Sequence, residues 1–529
     1  MSTPIQQDLF LPDSGDGVIL RGSFNDWRSN DLQLTDDDRD NIYSARFTIA
    51  GDSGTVIEYK YVILKANHTL LWEKLPDPEN PPYGNRKLIL TGRDLELPAV
   101  IFDCDRYYLA LVGKEVLFSV EELRSDFKEF RQILEDEHCC LYEYTSKQEF
   151  DRLFDRQYAL INKPLYPHEF YNILAAVTAK IGCLHTAVWM PNGFWDMQPD
   201  NLFPLQIRLI EDKVVVSGSY RDSCQIPPGC IIHEINNRDI DNIIGEMRAN
   251  LYADAFNINF INSQIEHRFA MIYASQFGFP QTYIISYSLP DTKTHLTTEL
   301  IPADLPAVRK VIFENFNYPK LTLQLFSEKN SALMSVKTFV YYDRLDYFRN
   351  FVDSCFQIIQ EKKIENLILD LRGNDGGDPF CAVHLLSYLE SQPVRYFAEP
   401  YGKYSELAKP IPLAANHFNG NFYTLMDGYS ASTTGHFLSL LKYHKRGKLI
   451  GTASGSTYKC NAGKNTEVIL SNSRLILTFG RTTFTAAVTG MDKTKPLMPD
   501  YQIEESYQDF LAGKDVYLEA VFNLLEQRK

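Results

Sequence analysis

The sequence predicts a multidomain α+β chain: a β-sandwich at the N-terminus, a helical segment, a β-rich segment and an α/β core. Three observations carry this. Residues 17–103 are short β-forming runs separated by Gly-, Asp- and Pro-rich turns. Residues 116–181 switch to apolar spacing of i, i+3, i+4. Near residue 367 an amphipathic run gives way to Leu367-Ile368-Leu369, then Leu371, a short continuous apolar stretch ending in a loop with three glycines. Such a run reads as a strand covered on both faces, as in a parallel sheet. At 529 residues the chain is too long for one core, and three or four domains are expected.

Composition narrows the functional classes. Hydrophobic content is 44%, charged content 23% and net charge −15, ordinary for a globular protein. No Lys/Arg cluster stands out, so nucleic acid is not an expected partner. No uninterrupted apolar run is long enough to span a bilayer, and the first residues lack the basic and apolar regions of a signal peptide. The nine cysteines include no CxxC pair, so neither a metal site nor a disulfide framework is indicated. Cys139-Cys140, beside His138, reads as core.

In the first segment, strands are expected at Gly17 to Leu20, Tyr43 to Ile49, Val56 to Leu64 and Lys87 to Leu90. Arg-Gly-Ser-Phe-Asn-Asp-Trp (21–27), Glu-Tyr-Lys-Tyr-Val-Ile (58–63), Leu-Trp-Glu (71–73) and Gly-Asn-Arg (84–86) together resemble glycogen- and starch-binding modules of the immunoglobulin-like sandwich type. The resemblance implies that Trp27 and Trp72 stack on glucose rings while Lys60 and Asn85 hydrogen-bond sugar hydroxyls, making an α-glucan a partner. The alternative is that both tryptophans are sandwich core.

Helices are expected over Val120 to Leu134, Ser146 to Ile161 and His168 to Ile181. Ser119 with Glu122 and Ser146 with Glu149 fit capping boxes. The third helix leads to Gly182-Cys183-Leu184-His185-Thr186, with Gly182 a helix stop. Pro227 to Arg238 reads as strand, Asn-rich turn, strand, then a helix with Ile243, Ile244 and Met247. That order resembles the peptide-binding PDZ module. A structural β-insertion is the alternative.

In the last segment Phe422 to Asp427 is a second buried strand. It ends at Gly428-Tyr429-Ser430-Ala431-Ser432-Thr433-Thr434-Gly435, and a helix follows. A strand, a small-residue turn with Ser and a helix expose a nucleophile at a helix N-terminus, where free N–H groups favour a developing oxyanion.

Leu-Asp-Leu-Arg-Gly-Asn-Asp-Gly-Gly (369–377) is similar to the signature of the tail-specific, C-terminal-processing serine proteases. Ser430 to Gly435 looks like that family's nucleophile motif, with Ser432 at the nucleophile position. Ile181 to Thr186 resembles the segment carrying the His base in the tricorn-like branch. Met498-Pro499-Asp500 and Gly513-Lys514-Asp515 resemble its late segments. The resemblance spans roughly residues 116–529 and implies a crotonase-like α/β core. It also implies a serine endopeptidase acting on polypeptides, with His185 as general base, no metal or organic cofactor, and an oxyanion hole from the Thr433 N–H with Gly376 or Gly377. Asp492 is the candidate third member.

Three features depart from the pattern. Thr457 stands where the Lys-dependent branch has its lysine, with Lys459 two residues on. Gly435 replaces a Glu, and Cys183-Leu184 replace Asp-Gly before the His. Gly435 and the altered residues before His185 support a rival reading, a non-catalytic peptide- or glycan-binding protein on a degenerate protease fold. His436 is expected to cap the helix or face outward. The expected division is 1–103 sandwich module, 104–190 helical segment with His185, 191–310 PDZ-like segment and 311–529 catalytic core. The family resemblance points to a periplasmic or secreted location if a signal was removed, and the sequence as it stands to a cytoplasmic one.

Overall fold

The computed structural model describes residues 10–37, 42–73, 84–91, 94, 97, 102, 117–191, 194–195, 200–221, 225–317 and 320–527. It is a mixed α and β multidomain chain with several sheets. The expected junction at 103–104 lies outside the described residues.

The strand Val56–Leu64 runs antiparallel to Gly17–Gly22, Leu70–Trp72 and Arg86–Ile89. The stretch Tyr43 to Ile49 is no strand; Ser44 makes only an isolated bridge to Thr35. Tyr43, Phe47 and Ile49 are half-buried, but beyond that bridge the run pairs with no strand among the described residues, so propensity alone does not make it one. Inside this sheet Glu73 is buried and bidentate to Arg86, at 3.0 and 2.6 Å.

Three helices, Val120–Glu137, Lys147–Ala159 and Pro167–Thr178, follow. Both expected capping boxes form, each satisfying N–H groups that the first turn leaves unpaired. Gly182 (φ +71) takes the left-handed conformation that turns the chain toward His185. The strand just after it, Ala187–Trp189, pairs with Ile476–Phe479. That pairing ties the histidine segment to the far end of the chain.

The next sheet holds Leu205–Ile210, Lys213–Ser219, Ile231–Ile235, Tyr283–Ser288 and His295–Leu300, all antiparallel. Asn236 and Asn237, at φ +51 and +59, form the two-residue turn into Arg238–Asp239. The helix Ile240–Asn250 follows, and its Ile243, Ile244 and Met247 are buried.

The central sheet places Ser331–Val336, Asn366–Asp370, Asn421–Met426, Lys448–Gly451 and Tyr501–Gln502 side by side and parallel. Leu321–Phe326 is antiparallel at one edge. Every residue of Asn366–Asp370 is buried. Leu367 and Leu369 join the cluster containing Phe348 and Leu385 of the helices on one face, while Ile368 packs with Val521 of the last helix on the other. Cover on both faces explains the unbroken apolar run; each such side chain contributes roughly 1.5–3 kcal/mol. The loops after these parallel strands lie at their C-terminal ends, where α/β sheets hold their ligands.

Candidate active site

The strand Asn421–Met426 feeds a turn that Asp427 organises, accepting the N–H groups of Tyr429 and Ser430. Ser430 Oγ donates to the Leu371 carbonyl at 2.9 Å. Ser432 is the N-cap of the helix Thr433–Tyr443, with φ +55 and ψ −123. That conformation costs a non-glycine residue on the order of 1–3 kcal/mol and persists only where neighbours enforce it. The neighbours are identifiable. Ser432 N–H donates to Ser456 Oγ at 2.8 Å, Ala431 N–H to the Asn374 carbonyl at 3.1 Å, and Thr434 Oγ1 to Asn374 Oδ1 at 2.8 Å.

The glycine loop is held as firmly. Asp370 pairs with Arg372 (2.9 and 3.0 Å) and Lys337 (2.8 Å), and Arg372 reaches on to Asp515 at 2.8 and 2.9 Å. The late Gly-Lys-Asp motif thus clamps the signature strand. Asn374 Nδ2 donates to the Val336 carbonyl, and its Oδ1 takes the Gly376 N–H at 2.9 Å. Gly376 and Gly377 stand at φ +103 and +135. A Cβ on Gly376 would lie 2.8 Å from Ser432 Cβ and 2.9 Å from the Thr433 nitrogen. One on Gly377 would meet the Phe339 backbone at 2.2 Å. The glycines therefore let one loop nest against the other, and Thr433 Oγ1 closes the contact by donating to the Gly377 carbonyl at 2.6 Å. Of the two expected loop donors, the Gly376 N–H is committed to Asn374. The N–H groups of Gly377 and Thr433 are engaged by no other group among the described residues.

His185 Nε2 lies 3.2 Å from Ser432 Oγ, although 247 residues separate them in the chain. Desolvation pushes the imidazole down from 6.5 to about 4, so it is neutral at pH 7. Asp254, buried beneath the site, accepts the Leu184 N–H at 2.9 Å, and burial pushes it up to about 7. Cys460 Sγ lies 3.3 Å from His185 Nδ1 and 3.7 Å from Ser432 Oγ. Asp254, Ser456 and Cys460 lie in no motif that marks them in the sequence.

Other expectations change. Asp492 is not brought to the pair: its carboxylate is exposed, accepts from Thr494 and pairs with Lys495. Lys459 is not there either; its ammonium is paired with Glu143. His436 neither caps nor faces outward. It is buried edge-on against Tyr396 and Phe397, because the first turns of its helix lie wholly inside the core. Gly435 is explained by space: a Cβ there would sit 2.6 Å from Ser456 Cβ. His138 bonds Thr186 Oγ1 at 2.8 Å and accepts from the Cys140 N–H. At the N-terminus Trp27 and Trp72 lie together, ring centroids 6.2 Å apart and partly buried. Lys60 is instead turned inward and donates to the Glu73 carbonyl at 2.9 Å, and Asn85 donates to Glu58 at 3.0 Å.

A strained serine at a helix N-terminus, a neutral histidine within reach of its hydroxyl and backbone donors beside it are groups that serine-type hydrolysis uses; the class is serine-type peptidase. Residues 332–501 match the model of Peptidase family S41. Among solved structures the chain is similar to mature CPAF complexed with lactacystin (TM-score 0.56, 13% identity, covering 77% of this chain and 98% of that one). It is similar also to mature CPAF alone (TM-score 0.53, 11% identity, 74% and 94%). A photosystem II D1 C-terminal processing protease matches at TM-score 0.40 and 13% identity, over 72% and 93%. At these identities the likeness is one of fold. No curated protein matches the chain.

Proposed function

We propose that the protein is a serine endopeptidase in which Ser432 is the nucleophile and His185 the general base and acid. The observation that carries this is the 3.2 Å approach of His185 Nε2 to Ser432 Oγ, on a serine held at φ +55. The neutral imidazole takes the hydroxyl proton as Oγ attacks the peptide carbonyl. The oxyanion forms beside the Thr433 and Gly377 N–H groups, each such donor worth on the order of 3 kcal/mol in the transition state. Nε2–H then passes its proton to the leaving amine. Water, activated by the same nitrogen, releases the acyl group. Asp492 takes no part in this account.

We read 191–310 as a PDZ-like segment that presents polypeptide to the site and 311–529 as a crotonase-like core, with 104–190 the helical arm carrying His185. The Asn236-Asn237 turn leading into Ile240–Asn250 supports the PDZ-like reading. Residues 1–103 are read as an immunoglobulin-like module whose paired Trp27 and Trp72 give α-glucan a stacking surface, with Lys60 acting structurally. The test is hydrolysis of an unfolded protein such as casein by the full chain. Cleavage lost in both Ser432→Ala and His185→Ala supports the reading. Folded wild-type protein that cleaves nothing and takes no active-site label supports the non-catalytic rival.

A further inference from the structure

Two neighbouring cysteines differ from the rest. Cys139 and Cys140, expected in the core, are half-exposed, whereas every other described cysteine is buried. They open on a surface depression lined also by Glu135, Tyr142 and Glu143. Successive side chains of an extended chain point to opposite sides. Here the turn after the helix Val120–Glu137 brings both sulfurs to one hydroxyl: Cys140 Sγ lies 3.2 Å and Cys139 Sγ 3.8 Å from Thr483 Oγ1. The Cys139 S–H donates to Cys140, which pushes the Cys140 thiol down to about 6 and the Cys139 thiol up. An accessible, acidified thiol beside a second thiol is the arrangement that oxidants attack first.

The same turn touches the site. The Cys140 N–H donates to His138 Nδ1 at 3.1 Å, so the other ring nitrogen carries the proton and donates to Thr186 Oγ1 at 2.8 Å. Thr186 is fully buried and follows His185 directly. The geometry points to Cys139–Cys140 as an oxidative modification site, a dithiol that hydrogen peroxide closes to a disulfide and that then shifts the His185 segment through His138. The effect on the site rests on the Ser432–His185 reading above; the modification itself does not. The Cys140 thiolate attacks one peroxide oxygen, forming an S–O bond as the O–O bond breaks. The Cys139 sulfur then attacks the Cys140 sulfur, forming the S–S bond as hydroxide leaves. The two thiol protons go to the two hydroxides, so two thiols and one hydrogen peroxide give one disulfide and two waters. Adjacent Cα atoms are about 3.8 Å apart, below the roughly 4.4–6.8 Å usual across a disulfide. Closing the ring therefore turns the peptide that carries the Cys140 N–H, and the strain leaves the bond easy to reduce.

The test uses the full chain, treated with hydrogen peroxide and then with dithiothreitol. Peptide mapping after alkylation reads the disulfide, and the second-order rate of fluorophosphonate labelling reads the site. Wild-type protein is expected to form the Cys139–Cys140 disulfide and to label roughly tenfold to a hundredfold more slowly, since a displacement of about 1 Å can cost a hundredfold. Dithiothreitol should reverse both changes. Cys139→Ser and Cys140→Ser keep the backbone N–H and are expected to label at the same rate before and after peroxide. Absence of the Cys139–Cys140 disulfide, or a disulfide that leaves labelling unchanged, overturns the inference, and so does slowing of both variants as large as that of wild type. If untreated, folded wild-type protein takes no label, the Ser432–His185 reading falls instead, and the peptide map alone decides the modification site.

Discussion

Replacing Gly376 by alanine perturbs the donor side of the site and leaves the Ser432 and His185 side chains intact. Two penalties follow. At φ +103 an alanine is strained by on the order of 1–3 kcal/mol, which lowers stability. The new methyl would also stand 2.9 Å from the Thr433 nitrogen and from the Ala431 carbonyl oxygen, and 2.8 Å from Ser432 Cβ. All three belong to the nucleophile turn, so relief requires that turn to move away from the glycine loop. A displaced Thr433 N–H no longer meets the oxyanion, and losing one such donor costs roughly a hundredfold to a thousandfold in rate. Gly373→Ala separates the two penalties: Gly373 also has positive φ, at +75, but a methyl there meets nothing within 4 Å. The assay is peptide cleavage alongside thermal melting for both variants. Both should melt lower, and only Gly376→Ala should lose turnover by two orders of magnitude or more. Equal turnover in the two variants would refute the assignment of Thr433 to the oxyanion.

Four further outcomes are expected. His185 must be neutral to accept a proton and is pushed down from 6.5 to about 4, so kcat/KM should hold as pH falls through 6.5 and collapse only toward about 4; a midpoint at 6.5 in the pH–rate profile would contradict this. His138 is likewise lowered to about 4, so the unfolded chain binds protons that the native state does not, and denaturant melts should show stability falling as pH drops from 6.5 toward 4. Gly435→Glu, which restores the residue of the family motif, should abolish labelling of Ser432, because its Cβ alone would press on Ser456, the acceptor of the Ser432 N–H. In the N-terminal sheet, Glu73→Ala removes the buried carboxylate that holds Arg86 at two points and should destabilise that sheet by about 3–5 kcal/mol, read from the fluorescence of Trp27 and Trp72 in urea.

The parts of the site that sequence reveals are those built from local runs. Leu367 to Gly377 is legible because a strand buried on both faces must be apolar and a loop that approaches another backbone must be glycine. The turn at Ser432 is legible for similar reasons. His185 is different: its segment is an unremarkable junction, and only resemblance to a family links it to Ser432. The link is made by the pairing of Ala187–Trp189 with Ile476–Phe479, a long-range register that no local pattern encodes. Asp492 illustrates the converse. Position along the chain suggested it, yet the loop that bears it turns to solvent and its carboxylate is taken by Thr494. Cys460 and Lys459 are neighbours on one strand, and no local pattern tells which of them turns toward His185 and which toward Glu143. The motif around Lys60 implies a sugar ligand, but Lys60 lies on the inward face of its strand, as does Val62 two residues on.

The central claim is that Ser432 is an activated nucleophile paired with His185. The most direct measurement is mass spectrometry of the folded full chain after fluorophosphonate treatment, followed by peptide mapping. The account predicts a single adduct, located on Ser432, absent from Ser432→Ala and strongly slowed in His185→Ala. An adduct on another residue, or none on folded wild-type protein, would contradict it.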